Sequence, residues 1–188
     1  LSSGRPKLKI AYAIATTGFF GMLVNLILIF SFQVFYGYLY YHLGLLISIF
    51  MTGIAGGSIL MTTRIKRIRN ALGLFSKLEL SIILFTCILW VAIYGLTTKL
   101  HAYLFFLVLF FVSGFLMGIE FPLASHIYLG KKQEIGSTTG VLYALDLFGG
   151  WLAGILGGTV FLPILGLFNI CLVIVMLKLS SFLVLKRP

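Results

Sequence analysis

The chain has 188 residues, is 61% hydrophobic and carries a formal net charge of +10. With a mean hydropathy of +1.15, this composition excludes an ordinary soluble enzyme domain and is typical of a protein that crosses a bilayer several times. The cations occur in short clusters between apolar stretches and not along one solvated face. That placement argues against nucleic acid as a partner and predicts the lipid bilayer instead.

Long apolar stretches predict six membrane-spanning helices. The stretch from Ile10 to Thr63 contains no Asp, Glu, Lys or Arg, and it is long enough for two crossings because one helical crossing needs about 20 residues. Pro163 is expected to end the fifth helix, since proline cannot continue the hydrogen-bond ladder. We expect a single all-α domain over residues 1–188, a six-helix bundle with helices at 9–35, 38–63, 78–96, 101–129, 138–162 and 168–185.

The cations also predict an orientation. Both termini, the loop after the second helix and the loop after the fourth helix carry nearly all the lysines and arginines. The positive-inside rule therefore predicts that both termini are cytoplasmic, which requires an even number of crossings. Within the first of these loops, four cations are expected to bind anionic lipid headgroups, each contributing about 1 kcal/mol. They are Arg64, Lys66, Arg67 and Arg69.

Glycines spaced one helical turn apart predict the faces on which helices pack, because small residues let backbones approach closely in a membrane. These glycines are Gly53, Gly57, Gly114, Gly118, Gly150, Gly154 and Gly158. The second and fifth helices are the glycine-rich ones. Each stands in the middle of a successive triplet of helices, as a 3+3 inverted repeat requires. An arrangement without internal repeat remains open.

Two acidic residues fall inside the predicted spans. Glu120 and Asp146 come to a similar depth at a rise of ~1.5 Å per residue, and an unpaired acid there costs about 3 kcal/mol. We expect both to face the bundle interior or a water-filled cavity and to form a site for a cation or a proton, with Tyr143 and His126 as neighbours. The alternative is a structural lock, in which either acid pairs with a loop cation or a helix terminus. Glu79 is placed in the first turn of the third helix, where a carboxylate complements the helix dipole.

Other polar residues in the spans leave alternatives open. Asn25 and Gln33 share one face of the first helix and either line a polar path or form interhelical hydrogen bonds. His42 and His101 lie at the outer ends of helices, where they are either interfacial side chains or ligands of a haem or metal. We predict no metal site and no cofactor. Nothing in the sequence matches a nucleotide-binding loop or a catalytic triad, so the sequence leaves enzyme activity undecided.

Three ordered stretches carry a family resemblance: Gly18 to Met22 with its continuation to Met51, Gly118 to Ala124, and Gly140 through Asp146 to Gly166. Together they resemble the membrane region of bacterial spermidine-synthase-like proteins, including those fused to a major-facilitator-like transporter. The resemblance implies a location in the bacterial inner (cytoplasmic) membrane and a six-helix unit equivalent to half of a major-facilitator fold. It also implies that aminopropyl transfer belongs to a soluble domain binding decarboxylated S-adenosylmethionine, which no part of these residues matches.

The leading functional hypothesis is a transporter-like membrane module that binds or moves a cationic small molecule such as a polyamine. One alternative is a membrane anchor or accessory subunit that docks other membrane subunits. Another is the membrane part of an aminopropyltransferase whose soluble synthase domain lies elsewhere. The chain begins with Leu1 and not with Met, so we expect it to be either processed, incomplete at its start, or cut from a longer polypeptide.

Overall fold

Every element in the part of the chain that the computed structural model describes, residues 4–37, 40–95, 99–129 and 135–186, is helical. The helices are α1 (Gly4–Tyr36), α2 (Tyr40–Arg64), α3 (Ala71–Gly95), α4 (Lys99–Leu129), α5 (Ile135–Leu156) and α6 (Leu162–Lys186). A 3-10 turn, Ile65–Arg67, follows α2, and a π turn, Gly157–Phe161, joins α5 directly to α6. The predicted all-α class is confirmed, and the chain is a helical integral membrane protein.

Five helices in the described residues are long and apolar enough to cross a membrane, not the six predicted. The predicted fifth and sixth helices form one helical stretch, Thr139–Lys186, so the expectation that Pro163 ends a helix is wrong. Proline lacks an N–H group and its ring crowds the carbonyl four residues earlier, here that of Thr159. The wider π turn, in which the Leu162 N–H donates to the Gly157 carbonyl, makes room for this ring, so the helical conformation runs past Pro163 as far as Gly166.

The 48-residue stretch changes direction at Gly166. Its φ of 72° and ψ of 172° lie in a backbone region that is essentially reserved for glycine. Before Gly166, the chain runs parallel to α1: Gly18 contacts Asp146 of α5, and Leu23, further along α1, contacts Gly157 of the π turn. After Gly166, α6 runs antiparallel to α1: Thr17 contacts Lys178, and Tyr12, nearer the start of α1, contacts Ser180. The stretch therefore folds back along α1.

The third helix begins at Ala71, earlier than the predicted residue 78. Asn70 caps it: the Asn70 side-chain oxygen accepts a hydrogen bond from the Gly73 N–H at 2.9 Å. Asparagine is among the preferred residues for this position because its side chain satisfies an N–H group that has no partner inside the helix. The earlier start places Glu79 well inside α3 and not in its first turn.

Two helix pairs are in backbone contact at glycines. Between α2 and α4, a Cβ atom at Gly53 or Gly57 would overlap the Phe111 or Phe115 carbonyl, and one at Gly114 or Gly118 would overlap the Phe50 or Ile54 carbonyl. Between α1 and α5, the tight contacts are at Gly18 and Gly149. Gly150 and Gly154 face α1 more loosely: a Cβ atom at Gly150 would lie 3.6 Å from the Gly18 carbonyl, and one at Gly154 would lie 3.3 Å from the Met22 side chain. A Cβ atom at Gly158 would meet no other part of the bundle within 4 Å.

Helix α1 lies at the centre of the bundle, against α4, α5 and α6, while α3 packs on α6 and α4. The core along α1 is divided into two apolar clusters, one around Ile10 and Ile14 and the other from Phe20 to Phe32. Between them α1 carries two buried hydroxyl residues, Thr16 and Thr17. This break in the apolar core is where the buried charges of the other helices converge.

Candidate functional site

A single lysine forms the centre of the buried polar layer. The Lys178 side chain is 0% exposed, and its Nζ lies 3.2 Å from Glu79 Oε2 and 3.5 Å from Glu120 Oε1. The same ammonium group donates a hydrogen bond to Thr17 Oγ1 at 2.7 Å. Ser181, one turn after the lysine, donates to Glu79 Oε1 at 2.8 Å. We call these five residues the Lys178 cluster.

Four helices hold the Lys178 cluster together. Thr17 comes from α1, Glu79 from α3, Glu120 from α4, and Lys178 and Ser181 from α6. Thr17 donates its own hydroxyl proton to the Ala13 carbonyl at 2.8 Å, so its oxygen is left to accept from the ammonium group. An ion pair satisfied in this way ties helices that lipid alone would not drive together.

The cluster contains more negative than positive charge. Glu79 and Glu120 are both fully buried beside one ammonium group, and removing a charge from water costs several kcal/mol unless a partner compensates it. The two carboxyl groups lie against the same ammonium group. The Glu120 Oε2 atom has no hydrogen-bond partner, whereas Glu79 Oε2 lies against the Lys178 ammonium group. The site is therefore one proton or one cation short of neutrality when both acids are ionised.

Asp146 lies outside this cluster, in an open groove. A cavity of about 490 Å³ runs between α1, α2, α4 and α5 and is lined by Asp146, Asn25 and Trp151 among apolar residues. A smaller cavity of about 200 Å³, which Asp146 also lines, reaches Thr17 and Tyr143. Among the described residues, no side chain forms a hydrogen bond with the Asp146 carboxylate, although Lys178 acts on it electrostatically.

Glu120 and Asp146, predicted to form one site, belong to neighbouring sites. No hydrogen bond links their carboxyl groups in the described part of the chain. Glu120 pairs with Lys178, whereas Asp146 lies against Gly18, the residue after Thr17. The expected alternative, a lock to a loop cation, also differs from the structure, because the partner of Glu120 is a lysine within a span.

The predicted neighbours of the two acids divide in the same way. Tyr143 lines the smaller cavity together with Asp146, and its ring stands at 87° to that of Phe121. His126 is exposed in the last turn of α4, and no described contact joins it to Asp146. Of the polar-path candidates, Asn25 lines the groove and Gln33 is exposed.

His42 lies apart from the Lys178 cluster. His42 packs edge-on against Phe32 and lies 3.5 Å from the Tyr103 hydroxyl. The His101 side chain lies outside the described residues. Within the described ranges no three His, Cys, Asp or Glu side chains are grouped as a metal site would need.

Sequence reasoning missed the residues that complete the Lys178 cluster. A lysine in the middle of an apolar span is itself a strong indication of a buried counter-charge, and Lys178 has that position. The role of Glu79 was missed because the predicted start of α3, at residue 78, put this residue in the first turn of the helix and not in its interior. Thr17 and Ser181 carry no sequence signal of their own, since hydroxyl residues are common in membrane helices and often bond their own backbone.

The basic residues after α2 are exposed, as binding to headgroups requires: Arg64, Lys66, Arg67 and Arg69. Chemically, then, the described residues combine a basic face, a half-buried carboxylate in a groove, and a buried cluster with excess negative charge. Comparison with protein-family models, with curated proteins and with solved structures gives no match to this chain.

Proposed function

We propose that this protein is a transporter-like membrane module that binds a small organic cation of the polyamine class in the groove beside Asp146. The observation that carries the proposal is the Asp146 carboxylate, which lines the groove without a hydrogen bond from any described side chain. A linear polyamine combines ammonium groups with methylene segments. An apolar groove with one carboxylate supplies a counter-charge for the former and burial for the latter.

Two further residues in the groove suit an ammonium ligand. The Asn25 amide nitrogen donates to the Gly21 carbonyl at 3.2 Å, which leaves the amide oxygen as an acceptor for a ligand. Trp151 lines the same groove, and an indole ring attracts cations through its π face. The groove thus offers a charged, a polar and an aromatic partner to a cationic ligand.

Binding of spermidine to the protein in nanodiscs, measured by isothermal titration calorimetry, tests this proposal. Asp146→Asn removes one charge-assisted interaction, worth about 1.5–3 kcal/mol, and we expect affinity to fall by about 10- to 100-fold. Glu134→Gln makes the same chemical change at an acid outside the described residues and is the matched control. Equal affinities of Asp146→Asn and wild type would exclude the groove as the site.

The same proposal includes an orientation. We propose that the helical stretch Thr139–Lys186 crosses the bilayer twice, because it folds back at Gly166, so that six crossings place both termini in the cytoplasm. The clustered cations on that side support this orientation. The resemblance to the membrane region of bacterial spermidine-synthase-like proteins supports a location in the bacterial inner membrane, with residues 64–69 at anionic headgroups.

Cysteine labelling of the protein in cells tests the orientation. With Cys87 and Cys171 replaced by alanine, a cysteine at Lys66 and one at Lys186 should both react only with reagents that reach the cytoplasm. A cysteine at Gly37, at the other end of α1, should react from outside. Labelling of positions 66 and 186 from opposite sides would mean that the long helical stretch crosses once, and the orientation would be wrong.

A further inference from the structure

We propose that the Lys178 cluster is a proton-binding site, in which Glu79 and Glu120 share one proton beside the Lys178 ammonium group. The chemistry is a simple protonation: one carboxylate oxygen forms an O–H bond with a proton from water, and no other bond breaks. The inference concerns a second site and does not depend on a cation binding in the groove.

Charge balance is the first argument. With both glutamates ionised, the cluster holds two negative charges and one positive charge, all fully buried within membrane-spanning helices. Separate charges in such a medium are stabilised only by close partners. The single ammonium group is shared unequally, at 3.2 Å from Glu79 and 3.5 Å from Glu120. One added proton makes the cluster neutral.

An unpartnered oxygen is the second argument. Glu79 contacts Ser181 through Oε1 and Lys178 through Oε2, whereas Glu120 contacts Lys178 through Oε1 alone. The Glu120 Oε2 atom is buried without a hydrogen-bond partner, and an unpartnered buried acceptor costs about 1–3 kcal/mol or more when it is charged. Because both carboxyl groups lie within 3.5 Å of the same ammonium group, one proton can be shared between them, as in carboxylate dyads.

The groups that face this pair are few in the described residues. Lys178 on α6 lies against both carboxylates. Asp146 on α5 interacts electrostatically with the same ammonium group. Helix α1 contributes Thr17, whose hydroxyl bonds Lys178 and which also lines the cavity of Asp146. The cavity beside Asp146 therefore comes within one residue, Thr17, of the Lys178 ammonium group.

Infrared spectroscopy of the protein in nanodiscs tests the proposal, because a protonated carboxyl group has its own C=O stretching band, which shifts in heavy water. The chain has four acidic residues. In a background with Asp146→Asn and Glu134→Gln, Glu79 and Glu120 are therefore the only acidic side chains. At neutral pH this background should keep one protonated-carboxyl band of the same area as the wild-type cluster. Either Glu79→Gln or Glu120→Gln, added to it, should abolish the band, since the remaining glutamate pairs with Lys178.

Lys178→Met should change the area of the band in the opposite direction from the two glutamate variants. Without the ammonium group both glutamates need a proton, so the band area should double. The proposal is overturned if the two-acid background shows no such band, or if the band survives both single glutamate changes. It is also overturned if the band appears only when sodium is replaced by choline, since the cluster would then hold a metal cation. If a further variant does not fold, the presence or absence of the band in the Asp146→Asn, Glu134→Gln protein still decides whether the cluster holds a proton.

Discussion

Replacing Lys178 with methionine should destabilise the protein strongly, although methionine keeps most of the apolar length of lysine. The change leaves Glu79 and Glu120 buried together without their counter-charge, and it removes the donor to Thr17 at 2.7 Å. Removing one partner of a buried ion pair costs about 3–5 kcal/mol. At ~1.4 kcal/mol for each factor of ten, the ratio of unfolded to folded protein should rise at least a hundredfold.

The loss can be measured by unfolding the protein in mixed micelles of dodecyl maltoside and SDS, followed by circular dichroism. It should shrink at acidic pH, because the carboxylate that Lys178 had balanced then takes up a proton at a smaller cost. The triple variant with Lys178→Met, Glu79→Gln and Glu120→Gln is the matched control, and it should recover most of the stability. An unchanged midpoint for Lys178→Met at alkaline pH would refute the reasoning that the ion pair holds these helices together.

Three further changes test the helix contacts and termini by the same unfolding measurement. Gly53→Leu should lower the free energy of unfolding by about 1–3 kcal/mol, because the new side chain would overlap the backbone of α4. Gly158→Leu is the control and should be nearly neutral, because the space around Gly158 is open. Equal losses of stability in the two variants would contradict the packing described. Asn70→Ala should cost about 1 kcal/mol through loss of the cap of α3, and no loss would show that the cap is dispensable. Gly166→Ala should cost about 1–3 kcal/mol because of its backbone conformation, and an unchanged midpoint would mean that the reversal of the chain does not need glycine there.

Much of the helical layout could be predicted from apolar length alone. The predicted α1, α2 and α4 agree with the structure within a few residues, because a bilayer demands about 20 apolar residues from each crossing. The start of α3 was misplaced because the cap at Asn70 precedes a segment that is less apolar than the rest. The junction of α5 and α6 was missed because Pro163 was treated as a terminator. A π turn accommodates proline within a membrane helix.

The candidate site was harder to predict, for a geometric reason. Counting residues from a loop fixes the depth of a side chain in the membrane, and Glu120 and Asp146 do lie near the same level of α1. Depth does not fix the face of the helix on which a residue lies. In helices that are apolar all round, no amphipathic pattern identifies the inward face. Only the packed structure shows that Glu120 faces Lys178 while Asp146 faces the groove.

The glycine contacts within the bundle have a mechanical consequence. Helices α1 and α5 touch backbone to backbone, as do α2 and α4, and the groove lies between these two pairs. Interlocked backbones resist sliding within each pair. The two pairs are joined beside the groove by α1 and α4, where the Met117 side chain packs on Gly21, and by the Lys178 cluster, which links Thr17 to Glu120. The width of the space beside Asp146 is therefore set by what holds the two pairs together and not by the contacts inside either pair.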